Sequence, residues 1–209
     1  MSDDAARLEK CVRSGGVALF PADTLYGLAC DPSNAGAIGR IHALKGRDEG
    51  KPSAVMFFAP LAMREVLSAS GPRTREAVGA LLPGPVTLVI ANPRRLYPLA
   101  CREDPERLGI RLIEGPLSGA SCAVFQTSAN RGGEPPPSRF EDVDRAIREA
   151  VDLAIDGGEL GGKPSTVVDL TGFEDGRWAL LREGAVAEAE VAAALTPEAG
   201  TPGAGEARP

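Results

Sequence analysis

Histidine, aromatic rings and clustered cysteines are scarce in this chain, and each scarcity removes a class of chemistry. Only one histidine, His42, is present. A Ser-His-Asp triad or a histidine metal site would have to use it, yet it stands beside Ile41 and Leu44 in a helical pattern and reads as a helix-face residue. Aromatic residues make up 4% of the chain, which leaves few platforms for stacking bases. The four cysteines, Cys11, Cys30, Cys101 and Cys122, lie far apart with no C-x-x-C pair and read as buried thiols. No run approaches the roughly 18–20 apolar residues that span a bilayer. The N-terminus, Met1-Ser2-Asp3-Asp4, is acidic and unlike a secretory signal, so a soluble cytoplasmic protein is expected. An excess of positive charge is also missing: the net charge is −6. That argues against indiscriminate nucleic-acid binding, and any anion site must be a local concentration of Lys and Arg.

What is present suits one sizeable domain: 209 residues, 43% of them hydrophobic. Ala5, Leu8 and Val12 mark one face of a first helix that ends at Gly15-Gly16. Val17 to Pro21 is a short buried strand, and Ala22 to Pro32 reads as a loop rich in small polar groups. Asn34 caps a helix carrying Ile38, Ile41 and Leu44. The cationic loop Lys45-Gly46-Arg47-Asp48-Glu49-Gly50-Lys51-Pro52 follows, then a strand from Ala54 to Phe58. Helical patterns around Met63 to Leu67 and Arg73 to Leu82 are broken by Pro83-Gly84-Pro85, which launches the strand Val86 to Ile90. Leu108 to Leu112 and Cys122 to Phe125 are further strands. Ser138 with Glu141 reads as a capping box opening a helix through Ile147. Val151 to Ile155 is a strand; Val167 to Leu170 and Trp178 to Leu181 flank a turn, as in a hairpin. A short helix spans about Val186 to Leu195, and residues 196–209 read as a disordered tail. The pattern implies a single α/β domain, residues 1–195, with a twisted mixed sheet flanked by helices and loops converging on one crevice.

Lys45 and Arg47 sit two apart, where glycines let the backbone approach an anion. Arg111 and Arg182, each at the end of a strand, can reach the same crevice. Positioned cations of this kind are what phosphoryl or nucleotidyl transfer requires. As loop cations, Lys45 and Arg47 are expected to matter for turnover and little for stability. Gln126-Thr127-Ser128-Ala129-Asn130, a cluster of short hydrogen-bonding side chains, follows another apolar strand. Pro21 to Leu28 offers a carboxylate, a hydroxyl and a phenol, able to orient a small substrate but equally legal as a plain turn. Gly157 to Lys163 opens like a phosphate-binding G-x-x-x-x-G-K-[ST] loop, but Pro164 stands where Ser or Thr should bind magnesium, and the match is rejected.

Taken in order, several of these segments resemble the YrdC/Sua5 family of threonylcarbamoyl-AMP synthases, which serve tRNA modification. They are Pro21-x-Asp23-Thr24-x-Tyr26-Gly27-Leu28, Lys45-x-Arg47 with Lys51-Pro52, and Pro83-Gly84-Pro85-x-Thr87-Leu88. Gly109-Ile110-Arg111, Thr127-Ser128-Ala129-Asn130, Pro164-Ser165-Thr166-Val167-Val168 and Leu181-Arg182-x-Gly184 continue the set. The resemblance implies a YrdC-like fold and a nucleotidyltransferase joining L-threonine, bicarbonate (or CO2) and ATP into threonylcarbamoyl-AMP and pyrophosphate, with Mg2+ carried on the ATP phosphates. Carried across, it places Lys45, Arg47, Ser128, Asn130 and Arg182 on ATP, and Thr24, Arg111 and Ser165 on threonine, with no dedicated catalytic side chain. Downstream tRNA-modifying proteins are implied partners, and RNA contact is possible on a concave cationic surface. Ala22 stands where relatives usually have Thr, Met56 replaces a histidine of some members, and Arg107 and Ile113 stand where Thr and Pro are common. The chain resembles the short YrdC type. Two other readings stay open: an RNA-binding module without synthase activity, and a paralogue using another carbamoyl or nucleotide substrate.

Overall fold

The computed structural model describes residues 2–46 and 52–196. Arg47 and Lys51 of the cationic loop, and residues 197–209 of the expected tail, lie outside the described residues.

The chain opens with α1 (Asp3–Arg13). Ser2 caps it by accepting from the Ala5 amide at 3.1 Å; Asp3 and Asp4 occupy its first turn and Lys10 and Arg13 its last, each sign matched to the helix dipole. The hairpin β1 (Ala18–Pro21) and β2 (Tyr26–Cys30) follows, then α2 (Ala35–Lys45), where Asn34 Oδ1 accepts from the Ala37 amide at 3.0 Å. Next come β3 (Ala54–Phe57), α3 (Arg64–Leu67), α4 (Pro72–Leu81), β4 (Val86–Ala91), α5 (Pro98–Cys101), β5 (Arg107–Leu112) and β6 (Val124–Ser128). The chain continues through α6 (Arg145–Ala150), β7 (Leu153–Ala154), β8 (Thr166–Asp169), β9 (Ala179–Arg182) and α7 (Glu188–Leu195).

Nine strands among the described residues form one sheet in the order β7-β1-β2-β6-β3-β5-β4-β8-β9. β1/β7, β3/β5 and β4/β8 pair parallel and the other neighbours antiparallel, so the sheet is mixed, as the alternation of strands and helices implies. Side chains alternate across it. Leu19, Leu28, Val55, Phe57, Leu88, Ile110 and Val168 point to a face covered by α2, α4, α6 and α7, through Ile38, Ile41, Val78, Ile147 and Val191. Ala18, Phe20, Ala29, Met56 and Val124 point to the other face, where Leu8 and Val12 of α1 and the segment bearing Ile113 and Leu117 cover them. That second cover stops short. Beyond it, over β5, β4 and β8, the sheet face is open, and this opening is the groove described below.

Three sequence expectations are corrected. Residues 26–30 are a strand rather than part of a loop: every residue of β2 is buried, so the polar alternation that marks a strand is missing. Only Ala22 to Leu25 turn, held by the Ala22 amide donating to the Leu25 carbonyl at 3.2 Å. Ser138 and Glu141 open no helix. The carbonyls of Pro137 and Ser138 accept from the amides of Tyr26 and Leu160 at 2.9 Å each, which keeps the segment extended. The helix starts at Arg145 instead, capped by Asp144 Oδ1 accepting from the Ala146 amide at 2.7 Å. Lys45 is not a loop cation: it is the last residue of α2 and 3% exposed. His42 fits the helix-face reading, with its ring edge-on to Phe125 at 5.9 Å. The cysteines are thiols, and burial pushes Cys30 up to about 12 and Cys122 to about 11. Among the described residues no helix is long and apolar enough to cross a membrane.

Candidate active site

A groove of about 630 Å³ lies on the open part of the sheet. Of the residues singled out from sequence, Thr24, Arg111, Ser128, Ser165 and Arg182 all line it. They arrive from the β1–β2 turn and from β5, β6, the entry to β8, and β9, so five separated segments meet in one cavity. Arg107, Arg111 and Arg182 line it with one carboxylate, Asp104, while Asp169 and Asp23 pair with the first two from just outside the lining; among the described residues Arg182 is the lining arginine with no carboxylate in ion-pair range.

At one end, four strands bring a row of residues into register. Thr87 pairs with Val167 and Val167 with Arg182; Arg111 joins one residue beyond the Leu88–Ile110 pair. Arg182 donates from its terminal nitrogen to the Ser165 carbonyl at 2.8 Å and to Ser165 Oγ at 3.2 Å. Ser165 Oγ in turn shares a 2.9 Å hydrogen bond with Thr87 Oγ1. Gly184 makes this possible: a Cβ there would stand 2.2 Å from the Pro164 carbonyl oxygen. Thr166 Oγ1 accepts from the amides of Gly184 and Val186 at 3.0 Å each, lashing the two segments together. Arg111 is 5% exposed and donates to Asp23. Burial pushes the Asp23 carboxyl up, the Arg111 charge offsetting part of that; burial likewise pulls Arg111 down. Arg182 is exposed by comparison, and the partial burial of its guanidinium lowers it too.

The other end lies four residues back along β5, about 13 Å from Arg111. Ala54 pairs with Gln126 and Val55 with Ile110, so Ser128 and Arg107 sit together just past the start of β3. Ser128 Oγ donates to Asn130 Oδ1, while the Asn130 amide nitrogen donates to the carbonyls of Arg131 at 2.9 Å and Glu134 at 2.6 Å. Behind this turn stands Lys45. Its Nζ donates to the Ser128 carbonyl, the Asn130 carbonyl at 2.7 Å and Asn130 Oδ1 at 3.4 Å. Lys45 and Asn130 therefore shape the wall rather than line it. Arg107 is pinned by Asp169 at 2.5 Å and Asp104 at 3.6 Å.

Sequence reasoning passed over Asp104, named Thr87 and Gln126 within motifs without giving them a role, and left Asp23 open between a substrate-orienting carboxylate and a plain turn; the strand register that gathers Thr87 and Gln126 has no local signature. The rejected glycine-rich segment leads into β8, not a helix, and the Gly157 amide donates to the Tyr26 hydroxyl at 2.8 Å. Of the departures, Ala22 and Ile113 are packed under the covered part of the face. Met56 is the register partner of Arg111 and fully buried, where the cover meets the groove.

The Sua5/YciO/YrdC family model, described as "Telomere recombination", matches residues 10–184. A threonylcarbamoyl-AMP synthase of Chromohalobacter salexigens is 34% identical over 184 residues, covering 83% of this chain and 98% of that protein. The Homo sapiens threonylcarbamoyl-AMP synthase is 32% identical, covering 87% of this chain and 67% of its own. Among solved structures, P. abyssi Sua5 complexed with L-threonine superposes with a TM-score of 0.78 at 26% identity; the match covers 91% of this chain and 56% of the Sua5 chain. This chain belongs to the Sua5/YciO/YrdC family.

Proposed function

We propose that this protein is an L-threonylcarbamoyladenylate synthase, a nucleotidyltransferase that forms threonylcarbamoyl-AMP and pyrophosphate from L-threonine, bicarbonate (or CO2) and ATP for tRNA threonylcarbamoylation. The observation that carries the proposal is the meeting of Thr24, Arg111, Ser165, Arg182 and Ser128 in one groove, in a chain whose relatives bear the synthase name. Threonine takes the Arg111 end, its carboxylate on that guanidinium and its hydroxyl near Ser165 and Thr24. ATP takes the Ser128 end, with Lys45 supporting the wall behind it and Arg47 adding positive charge, and its phosphates reach along the groove to Arg182. A carbamate formed on the threonine nitrogen then attacks the α-phosphorus through its carboxylate oxygen; the bond from that phosphorus to the bridging oxygen breaks, and pyrophosphate leaves with the electron pair. No side chain need act as a nucleophile, because holding the two reactants in line and offsetting phosphate charge supply the acceleration.

Among the described residues no three His, Cys, Asp or Glu side chains converge as a cation site. The donors the groove offers Mg2+ are hydroxyls such as Ser128 and one carboxylate, Asp104, shared with Arg107, and the ion is best held by ATP phosphates and water, neutralising their charge. Residues 1–195 form the catalytic unit, acting in the cytoplasm and passing product to tRNA-modifying proteins. Release of pyrophosphate that requires threonine, bicarbonate and ATP together is the expected result. Release with other amino acids but not threonine would favour the paralogue, a reading kept by Met56 beside Arg111 and by Arg107 in the groove. Salt-sensitive RNA binding without turnover would favour the RNA module.

A further inference from the structure

Asp23 and Arg111 meet at one point: a terminal guanidinium nitrogen donates to Asp23 Oδ1. Two atoms of the pair are left over. Arg111 Nε and Asp23 Oδ2 are both shut away from solvent and make no hydrogen bond of good geometry among the described residues, with the Thr24 hydroxyl near the Asp23 carboxyl. Buried polar atoms are paired almost everywhere in folded proteins, so two orphans on one ion pair require a cause. A side-on pair would have engaged Nε and a terminal nitrogen together and consumed that edge of the guanidinium. The one-point contact fixes the group through one terminal nitrogen. Arg111 lines the groove while its Nε is closed off, so what it offers an acceptor bound there is the other terminal nitrogen. Asp23 itself is held by the closed turn from Ala22 to Leu25 and presents its carboxylate from a rigid place.

We propose that Asp23 is a positioning residue for amino-acid recognition: its grip on one terminal nitrogen of Arg111 aims the other at the α-carboxylate of the substrate. The inference rests on the amino-acid half of the function proposed above and adds a residue that acts through Arg111. Both charges are needed, because a guanidinium without its anchor can change rotamer and meets only repulsion from Arg182 along the row.

The test uses L-threonine and L-threoninol, which carries CH2OH in place of the carboxylate. Both are titrated by calorimetry into the full chain and into Asp23→Asn. The wild type is expected to prefer threonine. Asp23→Asn should lose threonine affinity on the order of tenfold while threoninol affinity moves by less than about twofold, so the preference shrinks and the KM for ATP stays put. A purely structural role would weaken both ligands alike, and an unchanged preference in the folded variant overturns the inference. Should Asp23→Asn not fold, Asp23→Glu carries the same test: the extra methylene shifts the guanidinium, and a preference equal to that of the wild type overturns the inference. A wild type that binds no threonine removes the amino-acid reading as well, whereas a wild type that prefers threonine, with an equal preference in the variant, sinks Asp23 alone.

Discussion

The two ends of the groove are built in opposite ways. At the Arg111 end, the groups at the cavity are side chains standing on strands or at their ends, and they hold one another: Arg182 on Ser165, Ser165 on Thr87, Asp23 on Arg111. At the Ser128 end, the wall is a backbone turn, and its shape depends on an ammonium behind it that never reaches the cavity. A site on a sheet can be tuned one side chain at a time, because the strand pairing survives each change. A site on a turn is only as firm as the buried group that gathers its carbonyls.

Lys45→Ala sharpens that contrast most. At the last turn of α2 the ammonium satisfies two carbonyls and offsets the helix dipole, so its loss should cost about 2–4 kcal/mol of stability. Turnover should fall on the order of 100-fold as the turn relaxes. Denaturant unfolding and pyrophosphate release measure the two; an unshifted unfolding midpoint would contradict the buried-clamp role. Gly184→Ala comes next and attacks the strand end. A methyl 2.2 Å from the Pro164 carbonyl cannot fit without moving one segment, which should cost about 1–3 kcal/mol. Because Arg182 and Ser165 separate, the phosphate and threonine contacts are both disturbed, and the KM for ATP and that for threonine should rise together. A rise in one constant alone would mean that only one of the two residues moves.

Acid divides the ends in a third way. Burial lifts Asp23 above its ordinary 3.8, so in the folded protein it takes up its proton at a higher pH than in the unfolded chain. The sign follows: proton uptake in that window favours the folded state, and ionisation of Asp23 costs stability as pH rises through the lifted value. Glu9, lowered from 4.5 chiefly by its hydrogen bond from Ser121, and Asp152, lowered from 3.8 chiefly by Arg40, behave in reverse; their stabilisation is present above those values and lost as pH falls through the depressed ones. As pH falls through the lifted Asp23 value, therefore, threonine affinity should decline with no fall in melting temperature due to Asp23 itself. A parallel fall of both would place the loss in the fold and not at Arg111.

Most of the strands and helices were legible because their apolar periods are regular: Ala5, Leu8 and Val12 on α1, Ile38 and Ile41 on α2, and the hairpin of β8 and β9. β2 was not, since a strand buried on both faces carries no alternation and its Tyr-Gly start imitates a turn. The helix at Arg145 was misplaced because a Ser-x-x-Glu spacing says nothing of Leu160 and Tyr26, which bind that segment's backbone from afar. In the site, the charged residues announced themselves, but their division of labour did not. That Lys45 faces inward depends on a turn 85 residues away, and that Thr87 completes the Ser165 hydroxyl depends on the pairing of β4 with β8. Long-range register is a property of the folded sheet.

Thr87→Val isolates the smallest term in the comparison. Valine keeps the volume and the β-branch that β4 favours, and removes only the hydroxyl that meets Ser165 Oγ. Ser165 keeps its contact from Arg182, so the hydroxyl is turned rather than orphaned, and the cost should be about 1 kcal/mol. That corresponds to a several-fold rise in the KM for threonine with the KM for ATP unchanged. Discrimination should move with it: a site that hydrogen-bonds a substrate hydroxyl rejects the analogue lacking it. Once the Ser165 hydroxyl is no longer aimed by Thr87, the margin of threonine over valine in pyrophosphate release should narrow. If that margin is untouched while the KM still rises, Thr87 acts on the shape of the groove floor, and the hydroxyl of the substrate is read elsewhere, at Thr24.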